Sequence, residues 1–337
     1  MHKATWLEAT LWLSITPNGP VLIKASERAD PTRPSMEFVR TRRNGVEQVY
    51  LPGPSLKGVV RAQAERICRT LDRDGRNPAH DNPPLADNPV GDSADYTGLD
   101  DTTYNSGRYM TKIADQIAEK PDRTAMVYRQ SALTAKMFGH TSLAGRIRFA
   151  DAYDTTPATQ PNRLEERNGV AIDRVYGSVA VGPFNYETLI DGTFTTRIDM
   201  KNITLAQLAL LGLALRDLAE GRVAIGFGKS RGLGRVKVTF DSFTLRYPVC
   251  TIQHGNLHLL TGDPIATAQQ FVGVGALCRE SAYHLPSPET DTAALPAGLM
   301  YTEPEDDLGV TLTAEGDAQV WNIWRACMPA WRQEVGL

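Results

Sequence analysis

The chain of 337 residues is longer than one average domain, and its 42% apolar content is enough for a packed core. Its four cysteines stand apart, without the paired spacing of a disulfide framework, so reduced thiols in a cytoplasmic protein are expected. The net charge of −3 excludes a uniformly basic surface, but the charge is segregated: seven Lys and Arg between Arg40 and Arg69 face only Glu47 and Glu65, whereas residues 81–101 and 280–317 hold no Lys or Arg.

In chain order, Leu7, Ala9, Leu11, Leu13 and Ile15 alternate with polar residues and predict a half-buried strand. Glu8 and Thr10 interrupt its apolar run, so neither a signal peptide nor a membrane span is expected. A short hairpin follows at Asn44-Gly45, and a turn at Pro52-Gly53 leads into a helix from Ser55 that turns Val60, Ala64, Ile67 and Leu71 inward. Lys57 and Arg61, four apart, share a face of its first turns, where backbone amides attract anions. Residues 72–107 are rich in Asp, Asn, Pro and Gly and predict a long flexible insertion, followed by a short helix near 109–119. Residues 146–152 predict a strand with Arg146 and Arg148 on one face. Residues 168–184 predict a hairpin whose tip at Tyr176-Gly177 carries little apolar bulk and stands off the sheet. A strand at 194–200 leads to a helix capped by Thr204 that buries Leu205, Leu208, Leu211, Leu215 and Leu218 and stops at Gly221. Residues 223–225 and 235–245 are expected to close a hairpin. The order of strand, helix, strand, strand, helix, strand pair is the ferredoxin-like or RRM-like α+β plan.

Residues 226–238 carry the strongest signal. Gly226, Gly228, Gly232 and Gly234 alternate with Lys229, Ser230, Arg231 and Arg235, a pattern suited to cradling phosphate. It is not a P-loop, because Val223 stands where a glycine is required, and it is not a dinucleotide fingerprint, because a strand follows. A polymer backbone remains as the anion.

The pairing of Leu51-Pro52-Gly53-Pro54-Ser55-Leu56-Lys57-Gly58 and Arg61 with the late Gly226-to-Arg235 loop resembles the RAMP superfamily of CRISPR-associated proteins. The resemblance is closest to backbone subunits that polymerise along the guide RNA in type III and type IV effector complexes. It implies an RRM-like core over 1–71 and 144–247 with a thumb hairpin at 168–186, an insertion at 72–143, and an extension at 248–337 for which no family likeness is found. It also implies guide RNA, further copies of the chain in a helical filament, other effector subunits and a guide-paired target as partners, and no cofactor. On that likeness the RNA-binding residues are Arg40, Ser55, Lys57, Arg61, His140, Arg146, Arg174, Tyr176, Gly228, Lys229, Ser230, Arg231, Gly232 and Arg235, with the thumb tip flipping a guide base.

Type III relatives cut target RNA with a metal-assisted aspartate before the Lys57 motif. The register places that position at residues 35–37, where Ser35, Met36 and Glu37 stand, so no nuclease is expected and type IV is favoured. Asp30, after a register change, or Glu37 would serve if the chain cut RNA. A stand-alone crRNA-processing enzyme with His140 as acid or base is a further alternative. Cys250, His254, His258 and Cys278 lack a second ligand pair in sequence, and no metal site is expected.

Overall fold

The computed structural model describes residues 1, 3–25, 36–73, 75–88, 104–118, 120–156, 163–303 and 309–336. Strand β1 (Glu8–Pro17) buries Ala9, Leu11, Leu13 and Ile15, as its alternation requires. An edge hairpin of β2 (Arg40–Arg43) and β3 (Val46–Leu51) turns at Asn44 and Gly45, both left-handed with φ of 51° and 81°. Helix α1 (Gly53–Leu71) starts two residues before the predicted Ser55, because extended Pro52 takes the cap position. Four short helices follow: α2 (Ser106–Lys112), α3 (Ala114–Ala118), α4 (Arg123–Arg129) and α5 (Leu133–Phe138). Strands β4 (Ile147–Phe149) and β5 (Ala152–Asp154) lead to a ribbon of β6 (Leu164–Ile172) and β7 (Val179–Leu189). Strand β8 (Phe194–Lys201), helix α6 (Leu205–Ala219) and strand β9 (Val236–Tyr247) complete the core. Beyond it lie β10 (Cys250–Gln253), β11 (Asn256–Leu259), β12 (Pro264–Thr267), β13 (Gln270–Val272), α7 (Val274–Leu277), β14 (Thr292–Ala294), β15 (Tyr301–Thr302), β16 (Val310–Glu315) and α8 (Gly316–Glu334).

The main sheet runs β15-β16-β9-β1-β8-β5-β3-β2, with β4 also on β8. Its centre, β9-β1-β8 and then β4 and β5, is antiparallel throughout and has ferredoxin-like strand order. Helices α1, α6 and α8 cover one face. Thr204 and Gln207 close a reciprocal capping box on α6, which explains its sharp start. Residues 248–303 and 309–336 are continuous with this core: β16 extends the sheet beyond β9, and Trp324 of α8 packs on Gly212 of α6 and edge-on against Phe240 at 4.7 Å. A methyl group on Gly212 would lie 2.5 Å from the Trp324 ring, so the two helices approach only because that position is bare.

Three local expectations change. Residues 223–225 form no strand; Ile225 donates to the Gly234 carbonyl, and the loop folds back on residues 20–23. Residues 75–88 and 104–107 pack closely, with Leu85, Asp87, Tyr104 and Ser106 buried, whereas 89–103 lie outside the described residues. The ribbon tip is richer in exposed apolar side chains than expected: Ile172, Val175, Tyr176 and Val179 all face solvent.

Candidate nucleic-acid interface

All four glycines of the 226–234 loop have left-handed backbone, with φ between 70° and 90°. Two of them answer to the protein itself. A methyl group on Gly226 would lie 2.2 Å from the Leu22 carbonyl oxygen, and one on Gly234 would lie 2.0 Å from that of Ile225. Phe227 donates to the Leu22 carbonyl at 2.7 Å and Gly234 to that of Pro20 at 2.8 Å. The loop is therefore fastened to the segment after β1. Its crest is a single 3-10 turn at Lys229–Arg231, and the amides of Gly228, Lys229 and Ser230 donate to no acceptor among the described residues.

Helix α1 meets this crest along one face. Ser55, Val59, Ala62 and Arg66, spaced four, three and four apart, line a cleft of about 390 Å³ opposite Gly226, Phe227 and Lys229, with Lys24 at its rim. Burial, and then the nearby Arg66 charge, lowers the Lys229 pKa, which puts the two cations close together at the cleft. Lys57 is two residues from Ser55, about 200° around the helix, and so belongs to a second cluster. Its pKa is lowered by burial and by Arg61 and Arg148, and it has no ion-pair partner among the described residues. The two motifs do converge, but through Ser55 and Arg66 rather than through Lys57.

The amides of the α1 start are already engaged. Gly53 donates to Asp151 Oδ1 at 2.7 Å, and Ser55 and Leu56 donate to the Pro52 carbonyl. Any anion held there relies on side chains, contrary to the amide-based expectation. Gly53 is obligatory, because a methyl group would meet the Phe149 carbonyl oxygen at 2.3 Å.

Several nominated residues are occupied inside the fold. Arg40 donates to Glu187 at 2.6 Å. Arg61 donates to Glu65 at 2.8 Å and to the Gly139 carbonyl at 2.9 Å, tying α1 to the 72–143 segment. Arg146 does not share an exposed face with Arg148: it is buried, stacks on Tyr128 at 4.6 Å and donates to the Asn202 carbonyl, and β4 and β5 are separated at Ala150 and Asp151. His140 packs its Nε2 against Ser131 Oγ at 2.9 Å, while its Nδ1 accepts from the Ser142 amide at 3.3 Å. Burial and the Arg61 charge lower its pKa to about 4, which favours the neutral imidazole at pH 7. Ser230, Arg231 and Arg235 are exposed on or beside the crest, with Gly232 left-handed behind it. Arg174 and Tyr176 stand at the exposed ribbon tip, where Asp173 Oδ1 accepts from the Val175 and Tyr176 amides. Arg231 lies over Phe184 of β7 at 5.5 Å and so links crest to ribbon.

Sequence reading missed Lys24, Arg66 and Arg148. The spacing from Ser55 to Arg66 contains the signal for Arg66; nothing in sequence places Lys24 or Arg148 beside the motifs.

A family model of the RAMP superfamily matches residues 15–237, from the end of β1 through the glycine loop to the first residues of β9. The chain belongs to the RAMP superfamily. This RAMP protein is accordingly a CRISPR-associated RNA-binding protein with a ferredoxin-like fold. No curated protein matches it. The superfamily includes both non-catalytic members and ribonucleases. Asp30 lies outside the described residues; Glu37 is half-buried, 3.8 Å from Arg40. Among the described residues no cluster of His, Cys, Asp or Glu gathers to hold a metal. His254 sits in a left-handed turn, His258 Nδ1 lies 3.2 Å from the Gly262 carbonyl oxygen, and burial pushes the Cys250 thiol up to about 12. No helix among the described residues is long and apolar enough to cross a membrane.

Proposed function

We propose that this RAMP protein is a backbone subunit that coats guide RNA in a CRISPR effector ribonucleoprotein, of type IV in preference to type III. The observation that carries the reading is the cleft in which the two motifs meet. Lys229 has no ion-pair partner among the described residues, and it faces Ser55 and Arg66 across a groove open to solvent. Contacts of this kind hold phosphates without reading bases, as coating any guide requires. The ribbon supports repeated assembly, because its tip presents Arg174 and Tyr176 beyond the sheet for contact with a guide base or a neighbouring copy. Stacking of copies head to tail would build a filament whose length the RNA sets. The Ser-Met-Glu sequence at 35–37 supports a subunit that does not cut.

Affinity measured against salt concentration tests the cleft. Lys229→Ala and Arg66→Ala should each weaken binding of two unrelated RNAs alike and lower the salt slope by roughly 0.7 per lost phosphate contact. Unchanged slopes, or an effect on one sequence only, would remove the cleft as the phosphate site. Incubating the assembled complex with complementary RNA and magnesium should leave that RNA intact. Regularly spaced cuts that vanish in Asp30→Ala would move the protein to the type III class, and cuts that vanish only in Glu37→Ala would assign the chemistry to the 35–37 register.

A further inference from the structure

Among the described residues no helix covers the face of the main sheet opposite α1, α6 and α8. On it the outward positions of β1, β8, β4 and β9 are polar or charged, with one exception. Trp12, in the middle of β1, is 40% exposed. Indole is costly to leave in water, and a sheet face that only had to be soluble would carry Thr or Ser there, as Thr10 and Ser14 do on either side. Across the strand pair, Arg197 stands directly opposite Trp12, its guanidinium 5.8 Å from the indole. Further along, Tyr153 of β5 and Tyr50 of β3 are register partners with rings 6.0 Å apart and only 17° from parallel, and Arg43 caps the Tyr153 ring at 4.3 Å. Trp12, Arg197, Tyr153 and Tyr50 thus occupy four consecutive strands, a width of roughly 14 Å at about 4.8 Å per strand.

The charges on this face sort into paired and unpaired. Arg197 is held by Asp199, Arg246 by Glu8, and Asp241 accepts from Ser14. Asp241 keeps its charge, since Ser14 is neutral, but Arg43, Arg148, Lys201 and Lys237 have no carboxylate partner among the described residues, so the unpaired charge is cationic on balance. Arg148, Arg197 and Lys201 also line a dimple of about 550 Å³ at the β1–β8 end. The Arg148 charge, after that of Arg61, also bears on Lys57 near the start of α1.

We infer that this open face is a stacking platform for unpaired bases of single-stranded RNA, with Trp12 and the Tyr50–Tyr153 pair as ring supports and Arg148 and Lys201 as phosphate contacts. The inference rests on the reading that the protein holds RNA. A strip of aromatic rings flanked by unpaired cations is the chemistry that recognises splayed bases, and its width suits two or three of them. None of these five residues lines the glycine-loop cleft.

Two ligands separate the two surfaces: a fluorescent oligouridylate and an abasic ribose-phosphate oligomer of equal length, measured at one salt concentration. Trp12→Ala should weaken the oligouridylate about tenfold, as loss of a stacked base does, and leave the abasic oligomer unchanged. Trp12→Phe, which keeps a ring, should retain most of the affinity, and unchanged melting curves would exclude a folding defect. Lys229→Ala should weaken both ligands. If Trp12→Ala binds oligouridylate as wild type does, or loses both ligands equally, the platform is wrong while the cleft stands. A loss confined to RNAs long enough to seat two copies would make Trp12 a copy-to-copy contact and also overturn the platform. If Trp12→Ala alone has an effect, the platform stands and the cleft reading fails.

Discussion

The glycine loop and the β6–β7 ribbon approach one another at Arg231 and Phe184, yet they are held in opposite ways. The loop is fixed from outside itself: its amides donate to residues 20–23, and two of its glycines leave no room for a side chain against neighbouring carbonyls. Among the described residues the ribbon is anchored near its root, by bridges from Val21 to Leu189 and from Met36 to Tyr186 and by Arg40 to Glu187, with Arg231 over Phe184 the outermost contact, and beyond that it pairs with itself. The proposed phosphate site thus sits on the part the fold over-determines, and the proposed assembly arm on the part that is held mainly by its own pairing.

The largest effect is expected where the loop is most constrained. Gly234→Ala places a methyl group against the Ile225 carbonyl in left-handed backbone, which should cost roughly 2–4 kcal/mol and displace Lys229, lowering both the melting temperature and RNA affinity. A variant that melted lower but bound RNA normally would show that the crest keeps its position without that contact. Replacing residues 173–178 with two glycines should shift stability by less than about 0.5 kcal/mol, as surface changes do, while abolishing RNA-length-dependent assembly seen by size-exclusion chromatography. Normal ladders from this variant would detach the ribbon from assembly. The smallest effect separates the core from both regions. His140 titrates at about 4 in the fold against 6.5 unfolded, so the unfolded chain takes up the proton first. Its contribution is present above pH 6.5 and is lost as pH falls toward 4. That should amount to on the order of 1 kcal/mol after allowance for its partial exposure, vanish in His140→Gln and persist when the ribbon tip is removed.

The sequence carried the elements whose pattern is periodic. β1, β8 and α6 were legible residue by residue, because alternation and the Thr204-Gln207 box are local signals, and the two motifs that meet at the cleft stand out in the sequence by their glycines and cations. The partners were not. Arg40, Arg61 and Arg146 read as free cations because Glu187, Glu65 and the Asn202 carbonyl reach them only through tertiary packing, and Lys57 and Lys229 read as one site because sequence does not say which face of α1 the loop approaches. The open sheet face was hidden for a similar reason: Trp12, Tyr50 and Tyr153 are far apart in the chain and become neighbours only through strand order.

That strand order also bears on how the chain comes to its native state. β1, the first strand formed, is central, with Leu11 opposite Ile198 on one side and Phe243 on the other. Neither flank exists until much of the chain has been made, so the apolar face of β1 must wait with unpaired edges for contacts distant in sequence. Such pairing is slow and leaves a strand exposed to self-association. Synthesis in a cell would therefore hold this protein in an aggregation-prone state until β8 and β9 arrive, and agents that bind bare strands should raise its soluble yield more than any stabilisation of its surface.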